Sequence, residues 1–346
     1  MSLFNGIFFH SVGAAGASLC YTPQKKVKGW SWQTYWLAQA AVCWLILPLI
    51  VAWITIPDLL KVLHEAPSSA MWSSFLYGMA YGVGGTAFGM AIRYVGYSLT
   101  YAIAVGISCV VGTLLPLIIN GTLNETLQGN GSSFIVTGIL MGALGIAVCG
   151  LAGRKKEKDI EHQSAQTNNT FSLAKGLPLC ILAGVLSALY GFALAEGTPI
   201  ATIAEKYGAG DLKSNVVYIF SNTGAFVTTL FYCLYLHNKE KTFKEYFASN
   251  KALGINFSMA LITGVLWYFQ FFFYGLGHVN LGKYEFSSWA IHMILLVLFS
   301  AVAGVLMKEW KMCTSKTMRI LLLALSILIA AVLLLTYGNY LGGLKS

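Results

Sequence analysis

The residues best suited to bind a solute lie in one aromatic stretch of the C-terminal half. It reads Leu266-Trp-Tyr-Phe-Gln-Phe-Phe-Phe-Tyr-Gly-Leu-Gly-His278. Positions i, i+3, i+4, i+7 and i+11 of a helix share one face. Five side chains follow this spacing: Trp267, Gln270, Phe271, Tyr274 and His278. Aromatic faces beside hydrogen-bonding groups suit a sugar, because a sugar has an apolar C–H face and a rim of hydroxyls.

A second polar face follows after a short connection. The segment Lys283-Tyr-Glu-Phe-Ser-Ser-Trp-Ala-Ile-His292 carries four side chains with helical spacing: Glu285, Ser288, Trp289 and His292. His10, in an apolar run near the N-terminus, is a further ionisable residue. An ionisable group inside a bilayer costs about 2.5–3.5 kcal/mol on insertion scales, so each one needs a partner or a function.

Three of these polar groups are expected at a similar depth. With a rise of about 1.5 Å per residue, Gln270, His292 and His10 each lie roughly 10–12 Å below the outer surface. We therefore predict a ligand chamber, with these substrate-binding residues: His10, Trp267, Gln270, Phe271, Tyr274, Trp289 and His292. Other interpretations stay open. Each aromatic residue alone fits a lipid-facing or core position, and each histidine fits a neutral interhelical hydrogen bond. Gln270 also fits a helix–helix hydrogen bond, and Glu285 fits an interfacial pair with Lys283.

The elements that carry these residues are predicted to be transmembrane helices. Of 346 residues, 57% are hydrophobic and only 10% are charged, with a mean hydropathy of +0.68. Soluble domains carry about 25% charged residues. Apolar windows of membrane-spanning length predict an all-α polytopic protein with ten spans, at residues 3–21, 33–56, 72–92, 97–119, 133–152, 174–196, 214–236, 253–276, 285–307 and 318–340.

Basic residues predict the orientation of these spans. Seventeen of the 22 Lys and Arg residues lie in the odd-numbered loops. Such loops face the cytoplasm, so both termini are predicted outside. The net charge of +9 is therefore an orientation signal, and no nucleic-acid partner is predicted. The aromatic group Trp30, Trp32, Tyr35 and Trp36 is interpreted as a belt at the inner interface.

A polar stretch divides the spans into two sets of five. We predict a first repeat at 1–153, a flexible cytoplasmic connector at 154–174 and a second repeat at 175–346. Because five is odd, a second half that is homologous to the first must be inverted relative to it. A weak sequence similarity between the halves supports a repeat. It joins Val110-Val-Gly-Thr-Leu-Leu115 and Val302-Ala-Gly-Val-Leu-Met307.

Enzyme chemistry is not predicted. The seven Cys residues are scattered singly, without a CxxC pair or a Cys/His cluster, so no metal or other cofactor is expected. We find no paired carboxylates and no nucleophile–base motif at one interface. A transporter of another sugar, a nucleoside or a small metabolite stays open, in either direction, and so does, less favoured, an intramembrane lipid- or glycan-modifying enzyme.

Several motifs resemble the L-rhamnose–proton symporter family of the drug/metabolite transporter superfamily. They are Tyr21-Thr-Pro-Gln-Lys-Lys-Val-Lys-Gly-Trp-Ser-Trp32, Met90-Ala-Ile-Arg-Tyr-Val-Gly96, Val111-Gly-Thr-Leu-Leu-Pro-Leu-Ile-Ile-Asn-Gly121, Trp267-Tyr-Phe-Gln-Phe-Phe-Phe-Tyr274, Gly277-His278, Ser288-Trp289, His292-Met293 and Lys308-Glu-Trp310. They span nearly the whole chain.

The resemblance implies a function and a place in the cell. It implies two inverted five-helix repeats with alternating access, which import L-rhamnose with a proton as the coupling ion. It places the chain in the cell inner membrane, among lipid, with periplasmic termini. An acidic residue stands in the family pattern where this chain has Gln33. The acidic position at Glu285 fits the pattern, so Glu285 is the favoured protonation site, with His10 and His292 as competitors.

Overall fold

The computed structural model describes residues 3–20, 22–95, 97–119, 121–163, 172–247, 252–282 and 287–343. This part of the chain is helical and contains no strand. Its helices are α1 Leu3–Leu19, α2 Trp32–Ala40, α3 Leu47–Thr55, α4 Leu59–Glu65, α5 Ser68–Val95, α6 Tyr97–Ile119, α7 Leu123–Gln128, α8 Ser132–Gln163, α9 Leu173–Glu196, α10 Thr198–Lys206, α11 Asn215–Glu240, α12 Ala252–Leu281, α13 Ser288–Leu306 and α14 Ser315–Gly343.

Ten segments of the described chain are long and apolar enough to cross a membrane, which confirms the predicted number. They are Leu3–Lys26, Trp32–Thr55, Ser68–Ile92, Thr100–Ile119, Ser132–Ile160, Ala174–Lys206, Gly210–Glu240, Ala252–Leu281, Ser288–Leu306 and Ser315–Gly342. Several extend beyond the apolar windows, because polar residues can continue a helix outside the hydrocarbon core. Thus α8 runs to Gln163, and the start of the predicted flexible connector is helical.

The second span contains a π-helical segment. Helix α2 continues through Ala41–Ile46 in π geometry and then into α3. A π turn hydrogen-bonds i to i+5, one residue wider than an α turn, and often lies at functional sites. Cys43 and Trp44 of this segment are completely buried.

The chain divides into two compact units, each built from both halves of the sequence. The first unit comprises Met1–Ser18, Gly84–Ala188 and Gly277–Ser346, and the second comprises Leu19–Val83 and Leu189–Leu276. The four boundaries fall inside α1, α5, α9 and α12.

In the first unit, α14 packs along α8. Glycines of α8 face leucines of α14: a Cβ on Gly138 would lie 2.7 Å from Leu335 Cγ, and one on Gly145 would lie 2.8 Å from Leu328 Cδ2. Small residues allow this close contact without a hydrophobic driving force between helices. Beyond the span, the Asp159 carboxylate accepts hydrogen bonds from Thr314 and Thr317 at the start of α14.

In the second unit, an apolar cluster joins the short helices α4 and α10 to α3 and α11. Its completely buried members include Val62, Ile200 and Val216. At the other end of α11, the Glu245 carboxylate accepts hydrogen bonds from the Ser31 backbone N–H at 2.6 Å and the Thr34 hydroxyl at 2.6 Å. A carboxylate at a helix N-terminus favours the helix, so Glu245 anchors the start of α2.

Candidate functional site

Six aromatic side chains form a continuous cluster in the second unit, here called the aromatic cluster: Trp36, Trp44, Tyr81, Tyr190, Trp267 and Phe271. Trp267 lies between the two other tryptophans, with ring centroids 5.5 Å from Trp36 and 5.4 Å from Trp44. The cluster continues from Trp44 to Tyr81 at 5.9 Å. These edge-on contacts fix the ring orientations.

Tyr190 joins the cluster to polar groups of α11. Its ring lies 4.6 Å from Tyr81 and 5.1 Å from Phe271. Its hydroxyl donates to Asn222 Oδ1 at 2.5 Å, and Ser221 Oγ lies 3.3 Å away. An aromatic wall that ends in hydroxyl and amide groups has the surface chemistry that a sugar requires.

Close helix contacts hold the cluster together. A Cβ on Gly82 of α5 would lie 2.5 Å from the Ala225 carbonyl oxygen of α11, and one on Gly264 of α12 would lie 2.6 Å from Val42 Cβ. The backbones therefore approach closely at both crossings. Tyr81 and Trp267, one and three residues away from these glycines, are carried into the cluster as a result.

The first unit contains a histidine cluster, defined here as His10, Ser288 and His292. Nε2 of His10 and Oγ of Ser288 are 2.8 Å apart. The His10 and His292 rings meet edge to face with centroids 5.6 Å apart. All three residues are buried. Neutral imidazole and hydroxyl groups can both donate and accept, so this arrangement can hold and pass a proton.

Glycine also shapes the histidine cluster. A Cβ on Gly277 of α12 would lie 2.8 Å from both Cδ2 and Nε2 of His10. The imidazole therefore rests directly on the backbone of α12. Its position is set by α12 on one side and by Ser288 of α13 on another.

Trp289 is bound to a neighbouring helix of the first unit. Its indole N–H donates to the Ser108 carbonyl at 2.9 Å, and a Cβ on Gly112 would lie 2.7 Å from its Cδ1. The indole donor is thus used by α6. Through these contacts, Trp289 connects α13 to α6. Its contact with the substrate stays a prediction.

The seven predicted substrate-binding residues fall into two groups. His10, Trp289 and His292 lie in the first unit, whereas Trp267, Gln270, Phe271 and Tyr274 lie in the second. The three aromatic residues of the second group are buried and Gln270 is half-buried. That one ligand contacts both groups stays a prediction. Glu285, the favoured protonation site, lies outside the described residues.

No group of three or more His, Cys, Asp or Glu side chains that could hold a metal ion occurs in the described part of the chain.

Comparison with known proteins gives one consistent match. The family model for the L-rhamnose-proton symport protein matches residues 1–339. An L-rhamnose-proton symporter of Mannheimia succiniciproducens is 35% identical over 335 residues, which cover 95% of this chain and 96% of the relative. Those of Pectobacterium atrosepticum and Yersinia pestis are each 34% identical over 331 residues, with 94% of this chain and 95% of each relative covered.

This chain belongs to the L-rhamnose–proton symporter family. The membership rests on a match over residues 1–339, a range that includes both clusters, and it confirms the family resemblance of the sequence motifs.

At position 33, where the resemblance implies an acidic residue, this member of the symporter family has a neutral amide with two protein partners. Gln33 Nε2 donates to Glu240 Oε2 at 2.8 Å and to Thr242 Oγ1 at 3.0 Å. Gln33 is 2% exposed. A carboxylate at this position would face that of Glu240, whereas the amide donates to it, so here Gln33 stabilises the contact between α2 and the end of α11.

The predicted interfacial belt is wrong for two of its four residues. Tyr35 and Trp36 are buried, while Trp30 and Trp32 are half-buried. Tyr35 shares a hydrogen bond with Thr263 of α12 at 2.5 Å, and Trp36 packs on Trp267. The side chains therefore turn into the unit, because α12 offers them a hydroxyl and an aromatic ring.

Sequence reasoning missed four of the six members of the aromatic cluster: Trp36, Trp44, Tyr81 and Tyr190. One signal was present, since Trp36, Gln39 and Cys43 follow helical spacing on one face. Trp44 enters that face only through the π segment. Tyr81 and Tyr190 lie among other aromatic residues of apolar helices. There, composition does not distinguish residues that line a binding site from residues that only pack in the interior.

Proposed function

We propose that this chain imports L-rhamnose together with a proton across the bacterial inner membrane. The observation that carries the proposal is the match over nearly the full length to relatives named L-rhamnose-proton symporters. A transporter needs no catalytic constellation, so the proposal is also that the chain is not an enzyme. Exposed apolar side chains such as Phe231 and Leu333 then contact lipid.

The aromatic cluster is the proposed sugar-binding wall. L-Rhamnose presents C–H groups and a methyl group beside its hydroxyls, and aromatic rings bury the former while amides and hydroxyls bind the latter. Trp267, Phe271 and Tyr274 keep their predicted roles, with Gln270 as a hydroxyl partner. Trp36, Trp44, Tyr81 and Tyr190 are added on the strength of their ring contacts.

Proton coupling is proposed at Glu285, His10 and His292. The contact between His10 and Ser288 supports a role for the histidines, because a hydroxyl can adjust to either protonation state of the ring. Trp289 and His292 keep their predicted substrate contacts as part of this proposal. Neutralisation by a proton, together with a bound sugar, then favours the occluded state over the open one.

The order of elements supports the proposed inverted repeats, at 1–153 and 175–346 around the 154–174 connector. In each half, the first long helix is followed by a Thr-Pro sequence at the start of a short helix. Thr22-Pro23 lies at the start of the 3₁₀ segment Pro23–Lys26, and Thr198-Pro199 lies at the start of α10. A short helix also directly precedes the third long helix in each half: α4 in the first, and the 3₁₀ segment Phe243–Phe247 in the second. Two inverted halves provide the alternating access that symport requires.

The test is uptake of radiolabelled L-rhamnose into proteoliposomes, with and without an inward proton gradient. Wild-type protein should accumulate the sugar only when the gradient is present. Glu285→Gln should retain downhill exchange and lose accumulation, whereas Glu205→Gln, at an exposed residue, should behave as wild type.

Two other results would change the assignment. Accumulation that survives Glu285→Gln would move coupling to His10 or His292. Folded wild-type protein without saturable L-rhamnose uptake would contradict the substrate, and competition by other sugars, nucleosides and small metabolites would then identify the transported class.

A further inference from the structure

Helix α2 carries two buried glutamines with opposite surroundings. Gln33 is 2% exposed and donates to Glu240 and Thr242. Gln39 is 1% exposed, and within the described part of the chain neither its Oε1 nor its Nε2 has a hydrogen-bond partner. Two glutamines on one helix thus differ only in whether the protein satisfies their amides.

An unsatisfied buried amide requires an explanation. Buried polar groups are almost always hydrogen-bonded, because an unpaired one keeps its full desolvation cost. Gln39 leaves both a donor and an acceptor unpaired, so helix–helix contact does not account for it. A partner that donates and accepts at once would satisfy both atoms.

Two more unpaired polar atoms lie in the π segment that continues α2 and on α12. The Trp44 indole N–H and the Tyr268 hydroxyl are both buried without a hydrogen-bond partner among the described residues. Trp44 contacts Trp267, which immediately precedes Tyr268. The α12 backbone reaches α2 beside them, since a Cβ on Gly264 would lie 3.0 Å from the Gln39 carbonyl oxygen.

The π segment brings these groups toward one face. Trp44 follows Gln39 by five residues, the spacing of a π turn, and Trp36 precedes Gln39 by three. Both tryptophans contact Trp267. Gln39 therefore lies between two members of the aromatic cluster, at the crossing of α2 with α12.

We propose that Gln39, Trp44 and Tyr268 bind the hydroxyls of the transported sugar, and that Gln39 sets its orientation. A pair of neighbouring hydroxyls can accept from the amide N–H and donate to the amide C=O at the same time. All three groups are neutral, so this site suits an uncharged polyol rather than an anion or a cation. The inference rests on the proposed function, in which that polyol is L-rhamnose.

The first test compares Gln39→Met with Gln33→Met, as purified full-length protein in detergent. Gln39→Met keeps the side-chain volume and loses no hydrogen bond to the protein, so its thermal stability should equal or exceed that of wild type. Its Kd for labelled L-rhamnose should rise at least about tenfold, because two hydroxyl bonds are lost. Gln33→Met should show the reverse, with lower stability and a wild-type Kd.

A panel of L-rhamnose analogues that each lack one hydroxyl sharpens the test. One of these deletions should weaken binding to wild type and leave binding to Gln39→Met unchanged, because the lost hydroxyl and the lost amide are the same interaction. Tyr268→Phe, which removes only the hydroxyl oxygen, and Trp44→Phe, which replaces the indole with a smaller ring that has no N–H, give the same test if Gln39→Met does not fold.

The outcomes are distinct. Wild-type Kd values in Gln39→Met, Trp44→Phe and Tyr268→Phe would overturn this inference and leave rhamnose transport intact. Folded wild-type protein that binds no L-rhamnose would contradict the proposed function itself, and with it the hydroxyl-binding role.

Discussion

His10 is enclosed by residues of two other helices in its unit. Its imidazole rests on the backbone of Gly277 and shares a hydrogen bond with Ser288, while the His292 ring meets it at an edge. A ring held on several sides has a defined orientation. In the proposed symport mechanism, that orientation decides whether a proton on His10 can be exchanged.

Gly277→Ala should displace the His10 ring. Its Cβ would lie 2.8 Å from two ring atoms, and the hydrogen bond to Ser288 is worth about 0.5–1.5 kcal/mol. We expect proton-driven L-rhamnose accumulation to fall by about tenfold. Gly254→Ala, on the same helix with nothing within 4 Å of the added Cβ, should leave accumulation unchanged. Equal accumulation in both variants would contradict the coupling role of His10.

Sequence reasoning found residues of the site where one helix carries them together. Trp267, Phe271 and Tyr274 share a face by spacing alone, and the structure buries all three. Tyr190 and Asn222 are separated by 32 residues and meet by tertiary contact, which spacing within one helix does not reveal. Gln39 was missed for a different reason, since a single amide in an apolar helix is indistinguishable from one that pairs with a neighbour.

Among the elements, the contact of α8 with α14 depends on backbone conformation as well as on small residues. Gly131, just before α8, has φ +81°, and a Cβ there would overlap the Gly338 carbonyl of α14. The left-handed conformation and the close contact both require glycine at this position.

Gly131→Ala and Gly121→Ala separate these two requirements. Gly121 has φ +69° but nothing within 4 Å of an added Cβ, so alanine should cost only the backbone strain, about 1 kcal/mol. Gly131→Ala should cost about 2–4 kcal/mol, because overpacking adds to the same strain. Thermal unfolding in detergent should therefore show a clearly larger loss for Gly131→Ala. Equal losses would mean that the contact with Gly338 contributes nothing.

The helices themselves were largely predictable. Length and apolarity define a span, because a bilayer leaves a backbone few other ways to satisfy its hydrogen bonds. The π geometry of Ala41–Ile46 was not predictable, since its sequence, Ala-Val-Cys-Trp-Leu-Ile, is ordinary for an α-helical span. The prediction of a flexible connector failed at α8, because its charged continuation can remain helical in water.

For the whole molecule, the distribution of basic residues carries a prediction of topology. A C-terminal fusion to alkaline phosphatase should be active, because that enzyme folds only outside the cytoplasm, and a fusion after Lys158 should be inactive. Fluorescent-protein fusions at the same two positions should show the opposite pattern. Phosphatase activity at Lys158 and not at the C-terminus would reverse the proposed orientation.

The number of spans could be predicted, whereas the two compact units could not. Hydropathy reports each helix separately, while the units join helices distant in sequence, such as α2 with α11 and α6 with α13. Five spans on each side of a polar stretch suggested two sequence halves. The compact units instead take helices from both halves.

The π segment makes the length of the second span as important as its composition. A substitution within Ala41–Ile46 changes one side chain, but the loss of a single residue after Trp44 lets the wide turn close to α geometry, in which Trp44 lies about 140° around the helix from Gln39. Trp44 would then face different neighbours, whereas Pro48 and the rest of α3 would keep theirs. Homologous transporters that differ by a one-residue insertion or deletion in this segment should therefore differ in the sugar they accept, even where every aligned side chain is identical.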